Sequence, residues 1–199
     1  MYMALSREFF DRDPPAVACE LLGKVLTRHT RKGVMKGRIV ETEAYLGQGD
    51  EASHTACGKT RRNASMFGPP GIAYVYTIHA RFCFNVVTES AGTGSAVLIR
   101  ALEPLTGIQQ MRERRRRCVA RDLTRGPARL CEAFGLNRDW DGWDLTLGKR
   151  LWISRGDVLR SGAWAQSSRI GISQDKELPL RFFLTDNRFI SGPSRLNRP

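Results

Sequence analysis

Glu41 and Glu43 stand two residues apart in the stretch Gly37–Tyr45 (GRIVETEAY), with Tyr45 two residues further on. If the stretch is a regular β-strand, Ile39, Glu41, Glu43 and Tyr45 project to one face, because successive side chains alternate. Two like charges beside an aromatic ring make a poor core. They suit a reaction site, with a carboxylate to activate water and a ring against which a flat substrate stacks. Taken alone, the residues leave a plainer reading open, a strand of solvated carboxylates.

The elements that must position them can be read from pattern. Asp13-Pro14-Pro15 opens a helix over Ala16–Leu22 that Gly23 ends, with Asp13 as cap and Pro14 in the first turn. Lys24–Arg28 and Gly37–Tyr45 read as strands joined through the turn-like Thr30–Gly33. From Gly47 to Gly71 the chain is rich in Gly, Pro, Asn and Ser, a loop long enough to suggest function. Ile72–Ile78, Phe82–Val87 and Ala96–Leu102 follow as strands, with a hairpin turn at Gly92–Gly94. Gly107–Arg117 and Pro127–Phe134 read as helices, the second closed by Gly135. Arg150–Ile153, Ser168–Ile172 and Arg181–Leu184 complete the strands. There is no repeat and no linker, so residues 1–199 are expected to form one α+β domain. Its centre would be a curved, largely antiparallel sheet with short helices.

Charge narrows the partner. The 32 Lys and Arg against 20 Asp and Glu give a net charge of +12 and a pI near 10.2, which favours polyanions, nucleic acid first. The five cysteines, Cys19, Cys57, Cys83, Cys118 and Cys131, form no CxxC pair. Neither a zinc ribbon nor a disulfide framework is indicated. Cys83 and Cys131 read as small core residues. No apolar run approaches membrane-spanning length, and charge near the N-terminus interrupts any signal-peptide core. The expected setting is the reduced cytoplasm, on the nucleoid if the organism is bacterial.

Several strings then accumulate in order: GRIVETEAYLG from Gly37, Asp50–His54, Arg62-Asn63, Met66-Phe67, Pro70-Gly71, Tyr74-Val-Tyr76, Phe82–Asn85, Val97–Pro104 and Gly126-Pro127 before Leu130-Cys131. In this order and spacing the chain resembles the alkyladenine, or 3-methyladenine, DNA glycosylases of the mammalian type, from about Ser6 to about Leu184. The resemblance implies a base-excision repair enzyme. It would flip an alkylated, or also a deaminated, purine out of duplex DNA and hydrolyse the N-glycosidic bond with water, leaving an abasic site. It implies no metal or organic cofactor, a monomer, and damaged double-stranded DNA as partner.

Residue by residue, the resemblance makes Glu43 the base that activates water, with Glu41 in a supporting or solvated place. Arg100 and the backbone carbonyl of Ile170 would hold that water. Tyr45 and Tyr76 would stack on the base, His54 would lie against it, and Asn85 would crowd its minor-groove edge. The family inserts a tyrosine from the turn after the Tyr-Val-Tyr strand; here His79 stands there and the turn is one residue shorter. His79 and Ile78 are the two candidates for the wedge, with Arg81 in support. Lys59, Arg61 and Arg62 are the expected phosphate contacts, ahead of the Arg112–Arg117 run, which reads as a solvated helix end. The altered turn keeps a second reading in view, a non-enzymatic binder of damaged or distorted DNA. A basic RNA-binding domain is a third, without an RNP-like aromatic pattern to support it.

Overall fold

A computed structural model describes residues 3–116, 119–156 and 158–197. Cys118 and Arg117, the last arginine of the basic run, lie outside them. Short helices α1 (Arg7–Phe10) and α2 (Pro14–Leu21) lead into β1 (Val25–Thr30) and the long β2 (Gly33–Tyr45). After the loop come β3 (Ala73–Ile78), β4 (Arg81–Thr88), β5 (Ser95–Thr106) and α3 (Ile108–Arg115). Then follow α4 (Pro127–Phe134), β6 (Leu151–Ser154), β7 (Trp164–Ser167) and β8 (Arg181–Leu184). Every strand pairing among the described residues is antiparallel, and the sheet runs β3-β4-β5-β2-β1-β6 with β8 and β7 branching from β2.

The curl of the sheet follows from β2. One edge pairs with β5 over nearly its whole length. The other edge is shared: Gly33–Arg38 pair with β1, whereas Glu41–Glu43 pair with β8. Two partners in succession along one edge force the sheet to diverge there. The β2–β5 register slips at the same place, so that Val40 and Arg100 fall between pairs, an irregularity that re-aims side chains. Thr42 and Ala44 face the packed side, where Thr42 Oγ1 donates to Ala18 O of α2 at 2.9 Å. Glu41, Glu43 and Tyr45 therefore share the opposite face, as alternation requires.

Helix α2 forms as its sequence suggests: Asp13 accepts from Ala16 N, Pro14 occupies the first turn, and Val17, Ala18 and Leu21 are buried. It packs on β2 and β5, and α4 covers β4 and β5. Ser168–Ile172, expected as a strand, is not one; the strand is β7, just before it. The backbone of Ile170 is committed to groups of the site, and Gly171 has φ 81°, so no sheet ladder can form there. Among the described residues, no helix is long and apolar enough to cross a membrane.

The β3–β4 hairpin closes in two residues, His79 (φ 45°) and Ala80 (φ 59°), with Ile78 paired to Arg81. Left-handed geometry at both positions matches the twist of a two-residue hairpin but costs a non-glycine residue about 1 kcal/mol or more. Ala80 is exposed, so its methyl buries little that a glycine would lose. Ala80→Gly should therefore raise the unfolding free energy by about 1 kcal/mol in chemical denaturation.

Candidate active site

Glu41 and Glu43 have no exposed surface, so their charges are answered within the protein. Arg100 lies between them: its Nε donates to Glu41 Oε1 at 3.1 Å and its Nη1 to Glu43 Oε2 at 3.0 Å. A second guanidinium, Arg181, donates to Glu41 Oε1 at 2.7 Å, while Ser191 gives Glu41 its backbone N–H at 2.6 Å and its hydroxyl at 3.0 Å. Burial alone would raise the Glu41 pKa, but Arg100 and Arg181 outweigh it and hold the carboxyl below its ordinary range. Of the two places expected for Glu41, supporting or solvated, the solvated one is overturned; it is the most heavily bonded carboxylate in the cluster.

Glu43 is held differently. Its Oε1 accepts from Ile170 N at 2.7 Å, and its Oε2 accepts from the Tyr45 hydroxyl at 2.9 Å as well as from Arg100. Arg100 Nη1 also lies 3.5 Å from Ile170 O. Tyr45, Arg100 and Ile170, the three partners of Glu43, all line a cavity of about 430 Å³. Burial, and then the nearby Glu43 charge, keep the Tyr45 phenol far above its usual pKa, so it serves as a donor at neutral pH.

The remaining cavity walls are aromatic. Tyr74, Tyr76 and Ile78 line it from β3, Cys83 and Asn85 from β4, and His54 from the loop. The Tyr74 and Tyr76 rings lie 5.6 Å apart at 33°, and His54 meets Tyr76 edge-on with centroids 4.4 Å apart. His54 Nδ1 and the Tyr74 hydroxyl are 2.8 Å apart. Although His54 is exposed at the rim, partial burial of its ring and then the Arg62 charge lower its pKa, leaving the imidazole neutral at pH 7. Asn85 spends its amide N–H on Tyr74 O at 2.9 Å, which fixes the orientation of the side chain. Cys83, expected in the core, is buried at this wall, and Cys131 is in the core proper.

Two buried side chains turn the long loop into a fixed structure. Asp50 accepts from Leu46 N and Ala52 N and receives both terminal nitrogens of Arg169, at 2.7 and 2.8 Å. Arg169 also donates to Ala44 O and lies over the Tyr45 ring at 4.7 Å. Asn63 donates to His54 O and Gly58 O and accepts from Thr60 N. Gly94, at φ 80°, completes the support: a Cβ there would come within 2.6 Å of Phe67 and 2.7 Å of Thr55. Asp50, Asn63 and Arg169 lie inside strings noted in the sequence, without an assigned role. Arg181 and Ser191 had no local signal at all.

The DNA-contact candidates separate. Ile78 is 47% exposed and lines the aromatic cavity. His79 and Arg81 instead line a neighbouring groove of about 530 Å³ between the hairpin and α4. Lys59, Arg61 and Arg62 are exposed on the loop; Arg62 donates to Thr77 O at 2.7 Å and Lys59 lies 5.8 Å above the Phe67 ring. The basic run is less solvated than expected. Arg114 donates to Met35 Sδ and Ala133 O, and Arg115 pairs with Glu132, so both help dock α3 on α4.

Residues 8–188 match the methylpurine-DNA glycosylase family, and the chain belongs to it. It is thereby a DNA glycosylase of the alkylation-repair kind. A protein of Rhodopirellula baltica named "Putative 3-methyladenine DNA glycosylase" is 48% identical over 200 residues, 98% of this chain and 86% of its own. Proteins of the same name from Carboxydothermus hydrogenoformans and Burkholderia lata are 45% and 47% identical, across 95% of this chain in each case and 99% and 91% of their own lengths.

The site has a pH signature. The folded pKa of His54 lies below its ordinary value of 6.5, and that of Glu41 below 4.5. Each therefore contributes stability that is present above the ordinary value and lost as pH falls through the lowered one. Unfolding free energy should decline on acidification first below about 6.5, through His54, and again below about 4.5, through Glu41 and other carboxylates held low such as Asp50. Glu41→Gln should diminish the second decline and cost roughly 3–5 kcal/mol at pH 7, because Arg181 loses its only described carboxylate.

Proposed function

We propose that the chain extrudes an alkylated purine from duplex DNA into the aromatic cavity and hydrolyses its N-glycosidic bond with a water activated by Glu43. The observation that carries this reading is that three residues lining the aromatic cavity, Tyr45, Arg100 and Ile170, all bond to the buried Glu43 behind them. N-glycosidic cleavage builds positive charge on the sugar, and a fixed carboxylate stabilises it while taking a proton from the attacking water. Arg100 and Ile170 O orient that water. The bonds from Ile170 N and the Tyr45 hydroxyl fix the carboxylate behind the cavity wall.

Tyr45, Tyr76 and His54 supply the flat walls that a flipped base needs. Rings favour cations, so a purine made cationic by alkylation binds well and is already a good leaving group. The neutral His54 offers a hydrogen bond without adding charge against such a base. Asn85, fixed by Tyr74 O, crowds one edge of the purine and works against the exocyclic amine of normal guanine. A neutral deaminated base gains less from the cage and lacks the built-in leaving-group charge, so it is the slower substrate. The water-based mechanism produces an abasic site and uses no lysine Schiff base.

Ile78 fills the gap left by the base. It is apolar, exposed, and on the same side of β3 as Tyr74 and Tyr76, so it enters the stack beside the cavity that receives the base. Arg62, anchored to the end of β3, and the adjacent Lys59 and Arg61 hold phosphates nearby.

Single-turnover excision from duplexes carrying 3-methyladenine or hypoxanthine tests the chemistry. Glu43→Gln should slow release by about 10²–10⁴-fold, and an unimpaired variant would remove Glu43 from its role. Glu41→Gln, measured on folded protein, should be much milder. The wedge is tested separately: Ile78→Ala should weaken damaged-duplex binding at least roughly tenfold, and His79→Ala should stay within about twofold. The reverse ranking would assign the wedge to His79.

A further inference from the structure

At the far end of α4 from the aromatic cavity, a half-buried cation, Arg28, stands beside the exposed Arg150 with no carboxylate bonded to it. The guanidinium of Arg28, on β1, lies 5.0 Å from the Trp140 ring, and that of Arg150, just before β6, lies 5.2 Å from the same ring and 5.3 Å from Trp143. Arg28 Nε and Nη1 are buried without a hydrogen-bond partner, and neither arginine makes a side-chain hydrogen bond or ion pair among the described residues. Burial, and then the charges of Arg114 and Arg150, lower the Arg28 pKa to about 10, which leaves it cationic at neutral pH. Arg114 is engaged by Met35 Sδ and Ala133 O, so it also takes one of the carbonyls that the C-terminal end of α4 could have offered Arg28. Asp139, the one carboxylate lining the same cavity of about 240 Å³, is exposed and accepts from Asn137.

Three features read as provision for an anion from outside. A buried charge without a partner is unfavourable, so a chain that keeps one gains from a counter-ion. The planar fork of arginine suits phosphate oxygens, and the Trp140 ring fixes both forks at one place. Arg150 is itself held at φ 57°, with its carbonyl bonded to His29 N at 2.7 Å, an uncommon conformation that recurs where function demands it.

The position of the cluster identifies the source of the anion. Pro127, at the start of α4, lines the aromatic cavity; the middle of α4 lines the groove with His79 and Arg81; Gly135 and Asn137 are shared by that groove and the arginine cavity. The helix spans ~12 Å, on the order of three or four base-pair steps of duplex. We propose that Arg28 and Arg150 hold a backbone phosphate of the same duplex against Trp140, several base pairs from the damaged purine. This rests on the DNA reading given above and extends it to a second, sequence-blind contact.

The test is duplex affinity as a function of salt, read by fluorescence anisotropy on damaged and undamaged DNA. Arg150→Gln should weaken both alike and flatten the slope of log affinity against log salt by about one. Arg160→Gln, which removes the same charge from a different cavity, should leave the slope at its wild-type value. Arg28→Met should flatten the slope similarly while raising Tm, because it deletes a half-buried cation with no carboxylate bonded to it. Unchanged slopes in both Arg28 and Arg150 variants overturn the proposal, and excision by the wild type would then show the parent reading still standing. A wild type that binds no duplex overturns both. Inorganic phosphate against chloride at equal ionic strength separates the remaining source. If phosphate raises the Tm of wild type but not of Arg150→Gln while the slopes are unchanged, the site takes free phosphate and the duplex contact is overturned.

Discussion

Two carboxylates withdrawn from water on the same face of β2 impose the central requirement of this fold. Neither can stay charged in that setting unless cations and N–H donors are brought to it. Arg100 meets both and thereby fixes β5 against β2 at the point where their register slips. Arg181 and Ser191 draw β8 and the C-terminal segment onto Glu41. The backbone of residue 170 is drawn onto Glu43, which is why that stretch leaves the sheet. Much of what looks irregular in the architecture follows from satisfying these two groups.

The two glutamates divide the work through their partners. Glu41 is surrounded by charged and hydroxyl donors and holds the arrangement together. Glu43 has the same arginine on one side, but its other donors are a backbone N–H and a phenol that both belong to the cavity wall. A carboxylate fixed in this way is preorganised rather than merely present, which is what electrostatic stabilisation of a developing charge requires. The aromatic walls depend on a second buried ion pair, Asp50 with Arg169, which anchors the loop and lies against Tyr45.

Most of the fold was legible because its signals are local. The cap and prolines before α2, the glycine after α4, and the alternation in β2, β3 and β4 each act within a few residues. The strand expected over Ser168–Ile172 rested on its two isoleucines and was defeated by a glutamate 127 residues away in sequence that claims its backbone. Similarly, nothing near Glu41 tells that Arg181 will reach it. The cavity residues were legible as a family constellation, not from their own chemistry: Tyr76 and Asn85 read individually as ordinary strand residues. His79 and Ile78 could not be separated from spacing, because only the two-residue turn decides which of them remains beside the cavity.

The dependence of Glu41 on Ser191 also bears on how the molecule comes into being. The carboxylate and its serine are separated by 150 residues, so at ribosomal rates of 5–20 residues per second the glutamate waits roughly 10–30 s for that partner. Through that interval β2 has been made and Arg100 joins it part-way, but Arg181 and Ser191 are still missing. Translation must pass residue 191 before the cluster can close. A chain stopped short of residue 191 therefore carries the cavity residues without all of the bonds that hold the strand beneath them.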